Sequence, residues 1–187
     1  EPLPLVDLDS IAAKSHVAAL GVDVPILREK KENDPRVILW NHRWEYDKGP
    51  DRLFAVINKL SNDAPHLNIR WHIVGQQFRQ TPKVFDQIKT ILIERGWLGH
   101  WGFLGAEQYY DVLRESHIVF STALHDFQGL AVMDAVAAGC IPLLPDRLAY
   151  AEFFSSEYLY FSEATPSNFE AETESAVLKF LQILKEK

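Results

Sequence analysis

The chain has 187 residues, 47% of them hydrophobic, with a net charge of −7 and a pI near 5.5. This length predicts one domain, or one domain with a tail, and the apolar content excludes a disordered chain because it can offset the entropy lost on ordering. The acidic charge disfavours general polyanion binding, so any phosphate must be held by a few local cations.

The longest apolar runs have the length of strands, so no membrane span is predicted. The single cysteine, Cys140, excludes an internal disulfide and is typical of a reducing compartment. Glu1 to Pro4 lacks the basic region and apolar run of a signal peptide. We therefore expect a cytoplasmic location, and we expect the chain to begin inside a longer protein.

Residues 1–36 are weakly patterned, and we interpret them as an interdomain strand and linker segment. Leu3 to Asp9 is a candidate extended piece, and Lys30 to Pro35 is a charged, turn-prone stretch typical of a surface linker. Residues 37–187 form the second predicted unit, in which the pattern becomes regular.

Short apolar strands alternate with amphipathic helices from residue 37 onward. Strands are predicted at 37–40, 69–74, 100–103, 118–121, 141–144 and 158–161. Helices are predicted from Pro50, from Thr81-Pro82 to Arg95, from Glu107 to Arg114, from Gly129 to Ala138, and after a capping box at Ser167 to Glu170. This alternation predicts an α/β fold with a Rossmann-like parallel sheet flanked by helices. Ligands of such sheets bind beyond the carboxyl ends of the strands, so the loops there form the candidate site.

Two cations, Arg43 and Lys48, follow the first predicted strand together with turn residues. They can clamp a diphosphate, Arg43 with a fork of donors and Lys48 as a point charge. The loop alone leaves open the alternative of a solvated, charged turn. No glycine-rich dinucleotide fingerprint follows this strand and no Walker-type sequence occurs, which argues against NAD, FAD and ATPase-type sites.

The loop after the fourth predicted strand leads into a helix that begins at Gly129. The free amides and positive dipole end of this helix favour a phosphate. Asp134 is the only acid between Leu130 and Ala138, and on so apolar a helix it needs solvent or a ligand hydroxyl as a partner. Asp126 lies in the loop near the same helix end. Each aspartate has the alternative of being a cap or an exposed acid.

The seven histidines are scattered, without a paired ligand spacing or an accompanying cysteine. We therefore predict no metal site. The sequence also has no Gly-x-Ser-x-Gly elbow, so it gives no support to a serine hydrolase.

Together these loops resemble glycosyltransferase family 4, the retaining enzymes of the GT-B fold, in its C-terminal, donor-binding domain. Arg43 and Lys48 match the Arg and Lys that the family has after the first strand of this domain. Asp126 and Asp134 stand at the spacing of the family's Glu-x7-Glu, and Gly129 matches the glycine inside that motif.

The resemblance covers about residues 36–162 and implies one half of a GT-B fold, with the N-terminal acceptor domain absent from this chain. A subgroup that transfers mannose from GDP-mannose to queuosine in tRNA is similar at 39–48, 121–127 and 145–154. The resemblance thus implies hexose transfer from GDP-mannose or another nucleoside diphosphate sugar, with no cofactor and no metal required. A tRNA acceptor would be bound through the missing N-terminal domain.

The resemblance also implies roles for individual residues. Arg43, Lys48 and the first amides of the helix would stabilise charge on the leaving diphosphate, the usual electrostatic route. Asp134 would accept hydrogen bonds from the ribose diol, and Asp126 would hold hydroxyls of the transferred sugar. These four side chains form the predicted catalytic set. The other predicted contacts to the nucleotide sugar are Gly75, Phe103, Leu104, His125, Gly129 and Leu130, with Phe103 and Leu104 bordering the base.

Two departures from the family motif define a rival interpretation. Both glutamates are aspartates here, each shorter by about 1.5 Å, and Gln128 replaces the Phe before the glycine. A positioning error near 1 Å can cost about a hundredfold in rate. The rival is therefore a catalytically degenerate domain that binds a nucleotide sugar or acts as a scaffold. A more distant rival is a flavodoxin-like or receiver-like module, although the first loop carries cations where a receiver needs acids.

Overall fold

A computed structural model describes residues 8–16, 18, 21, 35–162 and 168–185. The strands are β1 (Arg36–Trp40), β2 (Ile69–Val74), β3 (Leu98–Gly102), β4 (Ile118–Phe120), β5 (Ile141–Pro145) and β6 (Leu159–Tyr160). They form one parallel sheet in the order β3-β2-β1-β4-β5-β6. The predicted α/β class with a Rossmann-like parallel sheet is confirmed.

Helices cover both faces of this sheet. The helices that do so are α2 (Pro50–Asp63), α3 (Val84–Glu94), α4 (Ala106–Glu115), α5 (Leu130–Ala137), α6 (Ala149–Phe153) and α7 (Glu170–Lys185); a short helix, α1 (Leu8–Ala12), precedes them in the chain. One buried cluster joins the sheet to α2, α3 and α7, and a second joins it to α4, α5 and α6. The centre of the sheet is therefore buried on both sides, which explains why its strands are mostly apolar.

The side chains of β1 alternate between these two clusters. Ile38 and Trp40 belong to the first cluster and Leu39 to the second, and all three are fully buried. This is the period of two that a strand imposes. A run of four apolar residues thus fills two core layers at once.

The turn from β1 into α2 requires glycine at position 49. Gly49 has φ 64°, and a Cβ there would lie 2.1 Å from the carbonyl oxygen of Thr122. Pro50 then opens α2 at its first position, where the missing amide costs no helical hydrogen bond. The close approach presses the loop after β1 against the loop after β4.

Two predicted elements differ from the structure, and one observed helix was not predicted. The Thr81 hydroxyl donates to the carbonyl oxygen of Phe78 instead of capping a helix, and α3 begins at Val84. The last strand is shortened because Ser156–Tyr158 forms a 3-10 turn. Helix α6 was not predicted, since five residues are too few to show a helical period.

Parts of the predicted linker lie outside the described residues, namely Leu3 to Asp7 and Lys30 to Asp34. Leu8 and Asp9 belong to the short helix α1 and not to an extended piece. Ser167 of the predicted capping box also lies outside the described residues. Near the start of α7, Asn168 Oδ1 accepts a hydrogen bond from the amide of Glu170 at 3.3 Å. The boundary between residues 1–36 and 37–187 stays a prediction.

The winding of the chain reverses between β1 and β4. From β1 the chain moves to β2 and β3 on one side, and from β4 to β5 and β6 on the other. In open parallel sheets a crevice opens outside the carboxyl ends of the strands at this switch point. The two loops with the predicted site residues follow these two strands.

Candidate functional site

A cleft of about 600 Å³ lies between the loops that follow β1 and β4. Six of the ten predicted site residues line it: Arg43, Lys48, His125, Asp126, Gly129 and Leu130. The structure thus brings both predicted cations, one of the two predicted aspartates (Asp126) and the start of α5 to one cleft.

Backbone hydrogen bonds join the two loops. The carbonyl oxygen of Asp47 accepts from the amides of Leu124 at 2.8 Å and His125 at 3.2 Å. The Thr122 hydroxyl donates to the carbonyl oxygen of Lys48 at 2.8 Å. It also accepts from the indole of Trp40 at 3.0 Å, so the core residue at the end of β1 helps to hold the junction.

Lys48 is buried at this junction, with 7% of the residue exposed. Its ammonium donates to the carbonyl oxygen of His125 at 2.7 Å. Two carboxylates are also near, Asp47 at 3.2 Å and Asp126 at 3.6 Å. A buried charge needs such partners, and they hold the ammonium at the wall of the cleft.

Arg43 is the more accessible of the two cations, with 52% of its side chain exposed. Its guanidinium lies 2.8 Å from a carboxylate oxygen of Glu45 and 3.7 Å from one of Asp47. Ion pairs this exposed contribute little stability. An anion with several oxygens can therefore compete with them for the guanidinium.

The first turn of α5 forms another part of the wall. Gly129, its N-cap, has φ 71°, and a Cβ there would lie 2.8 Å from the ring of Tyr150. Within the described residues, no side chain caps this end. Leu130 and Ala131 also line the cleft, so amides at the positive end of the helix dipole are available for an anion.

Asp126 is held from two sides. Its Oδ2 accepts from the Tyr150 hydroxyl at 2.8 Å, and its Oδ1 lies 3.6 Å from the ammonium of Lys48. The Tyr150 hydroxyl is 3.0 Å from Ser121 Oγ, which is 2.9 Å from Nε2 of His42. We call His42, Ser121, Tyr150 and Asp126 the hydroxyl relay.

Burial sets the protonation of this relay. It lowers the pKa of His42 to about 4, an effect that the charge of Asp126 opposes and that of Lys48 reinforces. Burial, together with the charge of Asp126, also raises the pKa of Tyr150 far above its ordinary value. At neutral pH the imidazole is therefore neutral, and the phenol keeps its proton for donation.

The other four predicted residues do not line the cleft. Asp134 is half-buried in α5. It lies near enough to Tyr109 for its charge to act on the phenol: burial raises the pKa of Tyr109 to about 12, and the charge of Asp134 contributes to that rise. Gly75 follows β2, and a Cβ there would lie 1.8 Å from the carbonyl oxygen of His42. Phe103 is 70% exposed and Leu104 half-buried after the edge strand β3. Their contacts to a nucleotide sugar, like the roles of the six lining residues, remain predictions.

The sequence reasoning missed several polar residues of the cleft. Asn41 lines it, and its amide nitrogen donates to the carbonyl oxygen of Ala131 at 2.7 Å and to the Tyr109 hydroxyl at 3.0 Å. Polar residues directly after a buried strand, as Asn41 and His42 are, give a usable signal. Tyr150 gives none, since it lies in a helix too short to predict.

Among the residues described, no three His, Cys, Asp or Glu side chains are grouped so that they could hold a metal ion. In the same part of the chain, every helix is too short or too polar to cross a membrane.

Comparisons with known proteins identify the family. The model of the family described as glycosyl transferases group 1 matches residues 25–179. The chain is 34% identical over 123 residues to a tRNA-queuosine alpha-mannosyltransferase of Drosophila melanogaster, a match that covers 66% of this chain and 32% of that protein. The match therefore spans about a third of the length of that relative.

Solved structures share the fold at low sequence identity. The C-terminal domain of the group 1 glycosyl transferase LpcC from Francisella tularensis superimposes with a TM-score of 0.63 at 18% identity, over 88% of each chain. The pneumococcal O-GlcNAc transferase GtfA, solved with UDP and GlcNAc, gives 0.64 at 16% identity, over 87% of this chain and 32% of its own. With the family model matching most of its length, this chain belongs to the glycosyl transferases group 1, and its parallel sheet is that of the GT-B glycosyltransferases.

Proposed function

We propose that the cleft after β1 and β4 binds the diphosphate and sugar of a nucleotide sugar, as the donor-binding site of a glycosyltransferase. The observation that carries this proposal is the convergence of Lys48, Arg43 and the first amides of α5 on one cleft. A diphosphate is the kind of ligand that needs several donors and positive charge within a few ångströms. Because the chain is acidic overall, Arg43 and Lys48 are the side chains of this cleft that would supply positive charge to the diphosphate.

The same groups would serve the reaction. Departure of the nucleoside diphosphate places negative charge on its oxygens, and fixed donors around them stabilise that charge in the transition state. Lys48 is suited to this task because its neighbours already hold the ammonium in place. Asp126, an acceptor beside Lys48, would bind hydroxyls of the sugar.

The donor and acceptor are proposed from the Drosophila relative. Its name describes mannose transfer to tRNA-queuosine, which supports GDP-mannose as the donor and queuosine in tRNA as the acceptor. The tRNA would be bound by a further domain in the cytoplasm, and the present chain alone would bind donor without turnover. Retention at the anomeric carbon belongs to the same proposal.

The binding proposal is tested with GDP, UDP, ADP and their mannose and glucose conjugates. We expect GDP and GDP-mannose to raise the melting temperature most, because a ligand that binds only the folded state stabilises it by mass action. Calorimetry then gives affinities. The absence of binding by every nucleotide at millimolar concentration would reject the proposal.

Arg43→Ala is the matching variant. We expect it to weaken GDP binding by about 1.5–3 kcal/mol, the range for a charge-assisted hydrogen bond, with a smaller loss at high salt because this side chain is exposed. Arg95→Ala is the control, since Arg95 is an exposed arginine at the far end of α3. Equal GDP affinity in wild type and Arg43→Ala would refute the assignment.

A second candidate is a domain that binds the donor without supporting transfer. The observation in its favour is that the Asp126 carboxylate is already engaged by Tyr150 and Lys48. The two candidates are separated by an assay of the longer protein with GDP-mannose and tRNA. Binding without transfer of mannose would favour the second.

A further inference from the structure

Asp126 ends the hydroxyl relay, and its carboxylate determines which group donates in each hydrogen bond of the relay. A carboxylate only accepts, so the Tyr150 hydroxyl donates to Oδ2 of Asp126. The Tyr150 oxygen then accepts from Ser121, and Ser121 Oγ accepts from the Ala123 amide at 3.2 Å and from Nε2 of neutral His42. Every donor in the relay thus points toward Asp126.

The two oxygens of the Asp126 carboxylate have different partners. Oδ2 is taken by a phenol that is 1% exposed, while Oδ1 faces the ammonium of Lys48. A carboxylate fixed through one oxygen cannot rotate freely, so its other oxygen keeps a defined direction. Asp126 is 20% exposed, which leaves room for one approaching hydroxyl.

Tyr150 also touches the phosphate side of the cleft. Its ring occupies the space that a Cβ of Gly129 would need, 2.8 Å from the nearest ring atom. One buried side chain therefore contacts both Asp126 and the N-cap of α5. Any shift of Tyr150 would change the distance between these two parts of the cleft.

We propose that Tyr150, oriented by Ser121 and His42, is a positioning residue that fixes Asp126 to accept one sugar hydroxyl of the donor through Oδ1. This inference rests on the proposed function, because it assigns the sugar part of the same cleft. It differs from that proposal in its consequence. Loss of the Tyr150 hydroxyl alone should affect recognition of the sugar and leave recognition of the nucleoside diphosphate intact, because the ring beside Gly129 stays in place.

The test compares GDP with GDP-mannose as probes of this chain by calorimetry. Tyr150→Phe keeps the ring beside Gly129 and removes only the hydroxyl. We expect the affinity for GDP to stay within about twofold and the ratio of GDP-mannose to GDP affinity to fall by about fivefold, the effect of one ordinary hydrogen bond. An unchanged ratio would overturn the inference.

Tyr160→Phe is the matched control. The Tyr160 hydroxyl is equally buried and donates to the carbonyl oxygen of Ser121 at 2.7 Å, but in this structure it does not bond to Asp126. Its removal should therefore keep the ratio of affinities. The same fall in Tyr160→Phe would show a general loss of packing and would contradict a specific role for Tyr150.

A double-mutant cycle separates positioning from structure. In the Asp126→Asn background, Tyr150→Phe should have no further effect on the ratio, because its action passes through the carboxylate. Additive losses would reject the inference. If Tyr150→Phe does not fold, Ser121→Ala replaces it in the cycle, since Ser121 supplies the donor to the Tyr150 oxygen.

The failures of the two proposals are distinguishable. If neither GDP nor GDP-mannose binds the wild-type chain, the proposed function fails and the inference fails with it. If both bind and the ratio is the same in wild type and Tyr150→Phe, only the inference fails.

Discussion

The ammonium of Lys48 donates to the carbonyl oxygen of His125 at 2.7 Å, although the two residues belong to loops that follow different strands. Its side chain is 9% exposed, in contrast to the half-exposed side chain of Arg43. Water screens a charge in this position less than it screens an exposed one. The two cations of the cleft should therefore differ in how strongly salt affects their contributions.

Lys48→Met should weaken GDP binding by about 1.5–3 kcal/mol, which is tenfold or more in affinity. Because the ammonium is buried, this loss should change less with salt than the loss in Arg43→Ala. Calorimetry at two ionic strengths measures both effects. Lys59→Met is the control, because Lys59 lies on α2 in an ion pair with Asp63 and Glu174. An equal loss in both lysine variants would contradict the assignment.

Gly75→Ala should destabilise the protein far more than Gly96→Ala. Both glycines have positive φ, 151° and 68° respectively, but only at Gly75 would a Cβ meet backbone, 1.8 Å from the carbonyl oxygen of His42. A Cβ added at Gly96 would meet no atom within 4 Å apart from its chain neighbours, so only the left-handed strain of about 1 kcal/mol applies. Urea denaturation compares the two free energies of unfolding. Equal losses would show that the loop after β1 yields to the added methyl group.

Glu172→Gln should cost about 3 kcal/mol, because its carboxylate is 2% exposed and is shared by Arg52 at 3.1 Å and by Arg147. Removing this charge leaves two guanidinium groups without their common partner. Glu174→Gln, on the same helix, loses a half-exposed ion pair with Lys59, and ion pairs this exposed contribute little stability. Chemical denaturation of both variants checks the difference, and similar values would contradict it.

Stability should fall as the pH drops from about 6.5 to about 4, in part because of His42. Burial lowers its pKa to about 4, with Asp126 and Asp47 opposing and Lys48 assisting, whereas the unfolded chain keeps the ordinary value of 6.5. Between these values the unfolded state binds more protons, so acid favours unfolding, by up to about 3 kcal/mol at full effect. His42→Asn should flatten this part of the stability curve relative to wild type. An unaltered slope would show that His42 does not drive the loss.

The sequence was sufficient for the sheet because most of its strands are short, largely apolar runs bounded by turn residues. It also predicted that Arg43 and Asp126 lie close together, because they follow the carboxyl ends of neighbouring parallel strands, and both side chains line one cleft. The start of a helix was predicted wrongly where a side chain makes a local hydrogen bond instead of capping the helix, as Thr81 does with the carbonyl oxygen of Phe78. The family resemblance itself was confirmed by the match to glycosyl transferases group 1.

The contacts around Asp126 could not be predicted in the same way. Tyr150 lies 24 residues further along the chain, in a helix that follows Leu148 at φ 48°, a backbone conformation that no sequence period reveals. The orientation of Asp134 depended on the phase of α5 relative to the sheet, which only packing decides. Long-range side-chain contacts of this kind are fixed by tertiary structure, whereas turns and strands are fixed locally.

The two amides that donate to the carbonyl oxygen of Asp47 belong to the main chain, and so does their acceptor. Replacing the side chains of Asp47, Leu124 or His125 removes neither bond. The backbone hydrogen bonds that join the two loops, which we call the frame of the cleft, are therefore kept in most substitutions of its lining side chains. Related sequences can vary the groups that select a sugar or a base while keeping the same frame, which gives this region of the fold a high capacity for evolutionary change.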